Sequence, residues 1–267
     1  SAVPVRSPGP GPAAPVSLPR AGALRWIPAT RWIPVTAGAR PTAVFRPNRC
    51  LSPVRPSRMR PASLPRLALI ADRFTCEERA DRAVRAVEAG VRWVHLRDHQ
   101  ASPDAFADRA RTLTSRLRAA SEEVLLSVNT HVSAAEQAAY GVHLGWRGPS
   151  VQEARDRLGA DAVIGFSAHD DLDADGDRAR GVDYFFFSPV YPTPSKPDHP
   201  GTGVGALRRF CRTAAPVPVL ALGGITPSRV RSCRAAGAHG VAVLSGIMEV
   251  DTPVAAARVD FGREAQR

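Results

Sequence analysis

The amino-acid sequence predicts an α/β protein that folds as a closed (β/α)8 barrel, the TIM-barrel architecture. From Leu67 onward, short β-rich apolar runs alternate with stretches of helical periodicity, as successive βαβ units require. Eight such runs fit within about 200 residues, which is the smaller end of the size range of these barrels. The turn after the first run, Asp72–Thr75, lacks the glycine pattern of an open dinucleotide-binding sheet, so the closed barrel is favoured.

Each predicted strand is a short apolar run, and most of these runs contain β-branched or aromatic residues. Such nearly continuous apolar runs are typical of parallel strands that are covered on both faces. The predicted strands are Leu67–Ala71, Trp93–Arg97, Val124–Asn129, Val142–Leu144, Val163–Ser167, Tyr184–Ser188, Val219–Leu222 and Val241–Leu244.

Helical periodicity fills most of the intervals between these strands. Thr226 followed by Pro227 is typical of a helix start, and Gly90 and Gly237 follow two predicted helix ends. The Asp-rich segment 170–181 shows this periodicity least. The predicted helices are Glu77–Ala89, Pro103–Ala119, Val132–Tyr140, Val151–Leu158, Ala206–Ala214 and Pro227–Ala236.

The N-terminal quarter of the chain has a composition of its own. Residues 1–66 hold 11 arginines and 14 of the 25 prolines but no Asp or Glu, whereas residues 67–267 carry 25 basic and 25 acidic residues. The net charge of +11 therefore belongs to this segment. Because it has few periodic apolar positions to offset the entropy of ordering, we predict that residues 1–65 are disordered or lie upstream of the true start, near Met59.

Two other interpretations of this segment stay open, a targeting sequence and a nucleic-acid-binding arm. The many prolines disfavour the amphipathic helix of a targeting sequence, and the lack of lysine clusters disfavours the arm. We predict a barrel domain over residues 66–262 and a short C-terminal tail over residues 263–267.

Composition also limits the partners of the barrel. No apolar run approaches the ~20 residues that span a bilayer, and the four cysteines show neither CxxC nor metal-ligand spacing. Isolated thiols are typical of a reducing compartment, so we expect a cytoplasmic protein with no membrane partner and no nucleic-acid partner for the barrel. A homo-oligomer is compatible with the sequence, which does not set the number of subunits.

Three features indicate a site for phosphorylated small molecules. Lys196 is the only lysine of the chain, and it lies in a proline-rich loop after the sixth strand, where a compact ammonium suits phosphate oxygens. Gly223–Gly224 and Ser245–Gly246 follow the seventh and eighth strands, where barrels usually bind phosphate. Glycine exposes backbone N–H groups without a Cβ, which is what an anion-binding turn requires.

Strand periodicity places further polar residues inside the barrel or at its mouth. In the second strand, Trp93, His95 and Arg97 share one face, and the apolar residues between them face the helices. The Arg97 guanidinium suits a diphosphate, with an internal ion pair as the alternative. We include His95 among the predicted substrate-binding residues, although a histidine at such a position is more often a hydrogen-bonded residue of a barrel layer. The predicted catalytic residues are Ser167, Lys196 and His169.

The third and fifth strands end in polar residues that could meet a ligand. The Asn129 amide offers donors and acceptors to a heterocycle, and capping of the next helix is an equal alternative. Ser167 offers a hydroxyl, and His169 offers an imidazole, a side chain suited to proton transfer, with an ordinary loop histidine as its alternative.

A succession of motifs resembles the thiamine phosphate synthase/TenI family over about Arg66 to Ala257. Their order and their positions on the predicted strands make the resemblance specific. The motifs are Val94–Arg97, Val128–Asn129, Gly141–Gly145, Ile164–Ser167, Asp183–Tyr184, Ser188–Pro197, Ala221–Pro227 and Val241–Ser245.

The resemblance implies thiamine biosynthesis and a set of residue roles. In the family, a synthase joins hydroxymethylpyrimidine diphosphate to thiazole phosphate, and diphosphate departs. By this resemblance, Arg97 and Lys196 would bind the diphosphate, and Asn129 would contact the pyrimidine. Ser167 would line the reacting centre. The residues implied to bind thiazole phosphate are Thr193, Ser195, Gly223, Gly224, Ser245 and Gly246.

The chain departs from the synthase pattern at the positions that bind Mg2+. Thr130 and Gly148 stand where the family has two Asp residues, and His99 stands where it has a lysine. Because Mg2+ prefers carboxylate oxygens, we predict no metal site and expect Mg2+ only if the chain is a synthase.

The chain thus keeps the residues implied to bind phosphate but lacks those that bind the metal, and in this it resembles the TenI subgroup of thiazole tautomerases. The histidine of that subgroup falls at Pro189 here, so the base would be another residue, such as His169 or His143. We therefore expect a TenI-like tautomerase acting on thiazole phosphate. The alternatives are an authentic synthase, a ligand-binding paralogue without catalysis, and a different phosphosugar barrel enzyme, which the loop at Lys196 disfavours.

Overall fold

The structure is a computed structural model, and it describes residues 64–250 except 139–140 and 175. In this part of the chain there are eight strands, seven α-helices and two 3₁₀ turns, Asp171–Ala174 and Asp177–Ala179. The strands are β1 (Leu67–Asp72), β2 (Trp93–Arg97), β3 (Leu125–Asn129), β4 (Gly141–Leu144), β5 (Ile164–Ala168), β6 (Tyr184–Phe187), β7 (Val219–Leu222) and β8 (Gly240–Val243). The helices are α1 (Glu77–Glu88), α2 (Pro103–Ala120), α3 (Val132–Ala138), α4 (Val151–Leu158), α5 (Gly203–Thr213), α6 (Pro227–Ala235) and α7 (Ser245–Met248).

The strands form a closed barrel in which every neighbouring pair is parallel and strand order follows sequence order. β8 closes on β1 with Leu67 opposite Val241. The predicted fold class is therefore confirmed. The predictions for residues 1–63 and 251–267, including both tails, lie outside the described residues. None of the described helices is long and apolar enough to cross a membrane.

Side chains alternate between two apolar layers, as the period of a strand requires. Val94 and Leu96 of β2 pack in the outer layer, between the strands and the helices. Trp93 of the same strand packs inside the barrel against Tyr184 and Phe186. The predicted two faces of β2 are thus confirmed, and the interior is a filled core rather than a channel.

Helix starts follow local capping chemistry where the sequence offers it. Ser102 accepts a hydrogen bond from the Ala105 N–H at 3.3 Å, and Pro103 occupies the first helical position of α2. Ser150 and Glu153 form a reciprocal capping box at the start of α4. With these caps, α2 begins at Pro103 and α4 begins at Val151, the residues predicted from the sequence.

Three elements differ from the sequence-based expectation. The helix predicted to begin at Ala206 begins at Gly203, because the chain is anchored there by a Gly203 N–H to Val190 carbonyl bond of 2.9 Å despite the low helix propensity of glycine. The segment 170–181 forms the two 3₁₀ turns instead of a helix. The short helix α7 after β8 was not predicted.

The seam between β8 and β1 leaves no room for a side chain at Gly240. A Cβ there would lie 2.0 Å from the Arg66 carbonyl oxygen, which accepts the Val241 N–H bond of the seam. We expect Gly240→Ala to lower the free energy of unfolding by about 1–3 kcal/mol or more, because backbone rather than a side-chain end must move. Denaturant unfolding of the full chain measures this effect.

Gly205→Ala is the matched control for this substitution. Gly205 lies inside α5, and a Cβ there meets nothing within 4 Å. Alanine should be neutral or stabilise the helix by up to about 1 kcal/mol. Equal destabilisation by the two substitutions would contradict the steric account of the seam.

Candidate active site

A cleft with a volume of about 300 Å³ opens at the carboxyl ends of the strands. Its wall is formed by residues at the ends of five strands or in the loops that follow them, and strand ends on this side of a parallel barrel are where active sites lie. The lining residues are Ile70, Arg97, His99, Ser188, Pro189, Thr193, Ser195, Lys196, Leu222–Ile225 and Ala242–Ser245.

Two loops form most of this wall and are bonded to each other through their backbones. The Val190 N–H donates to the Leu222 carbonyl at 2.9 Å, and the Tyr191 N–H donates to the Gly223 carbonyl at 3.1 Å. The loop after β6 therefore continues the pairing of β6 with β7 beyond the strand ends. This pairing keeps the loop of Lys196 beside the glycine turn.

Gly223 and Gly224 are required at this turn for two physical reasons. Their φ angles are +97° and +61°, a region that residues with a Cβ rarely adopt. A Cβ would also lie 2.7 Å from Pro189 Cα in the first case and 2.3 Å from the Pro192 carbonyl oxygen in the second. Glycine at both positions lets the two loops approach closely.

Lys196 lies in a tight turn of the same wall. Its N–H donates to the Thr193 carbonyl at 3.0 Å, so Thr193, Ser195 and Lys196 are presented together on the cleft. Partial burial lowers the pKa of Lys196 below its ordinary 10.5. An anion in the cleft would offset that desolvation of the ammonium.

The Arg97 guanidinium both lines the cleft and forms an internal ion pair. Its Nε donates to Asp72 Oδ1 at 2.8 Å, and Asp72 also lies 3.8 Å from Arg73. The internal ion pair is therefore observed, and binding of a diphosphate by Arg97 stays a prediction. Sequence patterns do not indicate Asp72 as a site residue, because its pairing with Arg97 depends on the register of β1 and β2.

His95 belongs to a buried polar network in the barrel interior. Its Nδ1 lies 3.0 Å from Ser127 Oγ, which also accepts the Trp93 indole N–H at 3.0 Å. The Asn129 side chain is hydrogen-bonded to His95. Burial, and next the charge of Arg97, lower the pKa of His95 to about 3, so the imidazole is neutral near pH 7. His95 is thus a buried, hydrogen-bonded residue of a barrel layer and does not line the cleft, and its predicted contact with substrate stays a prediction.

His143 forms a second buried group beside the first. Its Nε2 lies 2.9 Å from Ser167 Oγ, and its Nδ1 lies 3.3 Å from the Tyr184 hydroxyl. Burial, and next His95, hold the pKa of His143 well below its ordinary 6.5. A neutral imidazole enclosed in this way holds the Ser167 hydroxyl in place.

His169 lies at the surface beside the cleft. Its Nδ1 is 2.6 Å from the carbonyl oxygen of Ser188, a residue of the cleft wall, and its backbone N–H is 2.5 Å from Asp173 Oδ2. Because a carbonyl oxygen can only accept, Nδ1 carries the proton and Nε2 is the basic nitrogen.

The structure thus brings together part of the predicted site. Arg97, Lys196 and most of the predicted phosphate-binding residues line one cleft, whereas the remaining predicted residues lie outside its wall. Those on the cleft are Arg97, Thr193, Ser195, Lys196, Gly223, Gly224 and Ser245; those outside are His95, Asn129, Ser167, His169 and Gly246.

The two positions that carry metal-binding carboxylates in the resembled synthase are neighbours in the fold. A Cβ on Gly148 would lie 3.1 Å from Thr130 Cγ2. Thr130 has φ +62°, which Asn or Asp tolerates better than a β-branched residue. Thr130 offers only a neutral hydroxyl and Gly148 has no side chain, so this pair lacks the carboxylate oxygens that Mg2+ prefers and does not fit the ion. Among the described residues, no group of three His, Cys, Asp or Glu side chains could hold a metal.

Comparison with known proteins decides the family. Residues 67–247 match the family described as Thiamine monophosphate synthase. The chain belongs to this family. A thiamine-phosphate synthase of Halorhodospira halophila is 42% identical over 185 residues, which are 66% of this chain and 84% of that protein. One from Thioalkalivibrio sulfidiphilus is 37% identical, over 68% of this chain and 86% of that protein.

A solved structure shares the fold. Thiamine phosphate pyrophosphorylase from Pyrococcus furiosus superposes with a TM-score of 0.66 over 75% of this chain and 95% of that chain. The identity is 23%, so this likeness shows the fold alone. The family that residues 67–247 match, and not this likeness, associates the barrel with thiamine biosynthesis.

The two buried imidazoles predict an acid-sensitive fold. Both have a folded pKa below the unfolded 6.5, so the unfolded chain takes up protons first as pH falls. The contribution of the two neutral imidazoles to the free energy of unfolding should be fully present above about pH 6.5. Below that pH the free energy of unfolding should fall by about 1 kcal/mol per pH unit for each imidazole. For His95 this decrease extends to about pH 3. Urea unfolding at several pH values between 7 and 4 measures the slope.

Replacement of one imidazole isolates its share. His95→Gln should make the slope shallower, whereas His199→Gln, at an exposed position, should leave it unchanged. An identical slope in His95→Gln and the unmodified chain would refute the assignment.

Proposed function

We propose that this chain is a TenI-like tautomerase that acts on a carboxythiazole phosphate. The observation that carries the proposal is the contrast between the two halves of the site. The phosphate half is assembled on one cleft around Lys196 and Gly223, whereas Thr130 and Gly148 leave the metal half without carboxylates.

His169 is the base that the geometry favours. A tautomerase moves one proton between two atoms of its substrate, so it needs a group that takes a proton and returns it. His143 is a poor candidate because it is buried, bonded through both nitrogens and depressed in pKa. His169 is exposed and holds its proton on Nδ1, which leaves Nε2 to act.

The location of His169 supports this role. The TenI subgroup is expected to place its histidine at the position of Pro189, directly after Ser188. His169 directly follows β5, which pairs with β6, and it contacts the Ser188 carbonyl. An imidazole therefore lies beside Pro189, the position at which the TenI subgroup has its histidine. His169 Nε2 would take a proton from one carbon of the substrate and return it to a different carbon of the same molecule.

The remaining groups would bind and orient the substrate. The hydroxyls of Thr193 and Ser195, the Lys196 ammonium and the backbone at Gly223–Gly224 would hold the phosphate, and the ring would lie towards Ser167. Ser167, fixed by His143, would donate to or accept from the substrate without changing charge.

The second candidate is an authentic synthase that couples hydroxymethylpyrimidine diphosphate to thiazole phosphate. Two observations favour it. Arg97, His99 and Lys196 line the same cleft and would suit a second, more highly charged anion. The relatives described above are also named thiamine-phosphate synthases. A ligand-binding paralogue without turnover is the outcome if neither reaction is found.

An assay with both substrates separates these functions. We expect the full chain to isomerise carboxythiazole phosphate without added Mg2+, and to release no diphosphate when hydroxymethylpyrimidine diphosphate, thiazole phosphate and Mg2+ are supplied. Lys196→Ala should weaken tautomerisation mildly, through substrate KM, whereas it would severely reduce a synthase that depends on Lys196 for the diphosphate. Mg2+-dependent release of diphosphate would overturn the tautomerase proposal.

Substitution of the proposed base tests the mechanism. His169→Gln should lower kcat for isomerisation by about 10²–10⁴-fold and change KM little, because a general base acts on the chemical step. His239→Gln is the control, since His239 contacts the Leu64 carbonyl at the opposite end of the barrel. Full activity in His169→Gln would exclude this histidine as the base.

A further inference from the structure

Arg229 connects the two loops of the cleft wall from a helix behind them. It lies in the first turn of α6 and donates from Nη1 to the Gly224 carbonyl at 2.6 Å. Its guanidinium carbon also lies 4.4 Å from the centre of the Tyr191 ring, the geometry of a cation–π contact. Gly224 belongs to the loop after β7 and Tyr191 to the loop after β6, so one guanidinium contacts both.

The contact with Gly224 controls the direction of a backbone donor on the cleft. In a trans peptide unit the C=O and the following N–H point in opposite directions. The Gly224 carbonyl and the Ile225 N–H share one such unit. When Arg229 holds the carbonyl, it directs the Ile225 N–H the opposite way, and both Gly224 and Ile225 line the cleft. Gly224 needs this support because glycine has the widest conformational freedom of any residue.

The contact with Tyr191 is held at a second point of the same helix. The Tyr191 hydroxyl is hydrogen-bonded to Cys233, one turn further along α6. Burial is the main cause that raises the pKa of Tyr191, and it keeps the hydroxyl protonated. The Tyr191 side chain is therefore held between Arg229 and Cys233. Tyr191 lies in the same loop as Lys196, five residues before it.

We propose that Arg229 is a positioning residue for phosphate binding, which acts through Gly224 and Tyr191 and not by touching the ligand. Arg229 is absent from the cleft wall, which separates its role from that of Lys196. The proposal rests on the cleft being a phosphate site, as in the proposed function, but it is independent of whether the enzyme isomerises or couples its substrate.

Inorganic phosphate is the probe for this role, with calorimetric titration of the full chain as the measurement. Arg229→Ala should weaken phosphate binding by about tenfold, the effect of a lost hydrogen bond to a charged group. In turnover assays the same variant should raise KM for the phosphorylated thiazole by a similar factor and leave kcat within about twofold.

The control variant is Arg231→Ala, which removes the same charge from an exposed position of the same helix. It should leave phosphate affinity within about twofold. Equal losses of affinity in Arg229→Ala and Arg231→Ala would mean that only the overall charge matters, and this result would overturn the positioning role.

Tyr191 variants provide a test that survives poor folding of Arg229→Ala. Tyr191→Phe keeps the ring face for Arg229 but loses the hydroxyl contact with Cys233, so it should lose less phosphate affinity than Tyr191→Leu, which should lose it as Arg229→Ala does. Because both contacts act on one structure, the double variant Arg229→Ala/Tyr191→Leu should lose less than the product of the two single losses. Multiplicative losses would refute the shared mechanism.

The outcomes distinguish this proposal from the proposed function. If the unmodified chain binds phosphate but shows no isomerisation, the proposed function fails while the Arg229 comparison is still decided by affinity. If the unmodified chain does not bind inorganic phosphate, the positioning role is overturned as well.

Discussion

Backbone pairing between two loops is the constraint on which the candidate site depends. The Val190 and Tyr191 N–H groups extend the β6–β7 pairing past the strand ends, and this extension is possible only because Gly223 and Gly224 leave no Cβ in the way. These backbone hydrogen bonds therefore fix the position of the loop that carries Lys196. Its ammonium is held beside a turn of backbone donors, where an anion would meet both a charge and oriented N–H groups.

The barrel interior beneath this site is filled by side chains, and its imidazoles are neutral near pH 7. Trp93, Tyr184 and Phe186 fill it with rings, and His95 and His143 occupy polar positions among them with hydrogen-bond partners. Burial depresses the pKa of both imidazoles, so the floor of the site carries no positive charge near neutral pH. The positive charges lie at the rim instead, on Arg97 and Lys196, where a phosphorylated substrate would arrive.

The two halves of the site have diverged to different degrees from the pattern of the family. The chain keeps the residues that the resemblance implies for phosphate binding, and all of them except Gly246 line one cleft. At the other half, Thr130 retains a left-handed backbone conformation that suits Asp or Asn, although its side chain is β-branched. The backbone that would present a carboxylate is thus present without the carboxylate. This combination is the basis on which we propose a reaction other than synthase coupling.

The sequence by itself determined the barrel and the two faces of β2, because hydrophobic periodicity acts over a few neighbouring residues. The turn at Gly223–Gly224, which the sequence predicted to bind phosphate, lines the cleft. Only the tertiary structure decided that Asp72 pairs with Arg97, that His169 reaches across to Ser188 and that Arg229 contacts both loops of the wall. Each of these contacts joins residues from different elements. Their distance depends on strand register and loop packing, which no local pattern encodes.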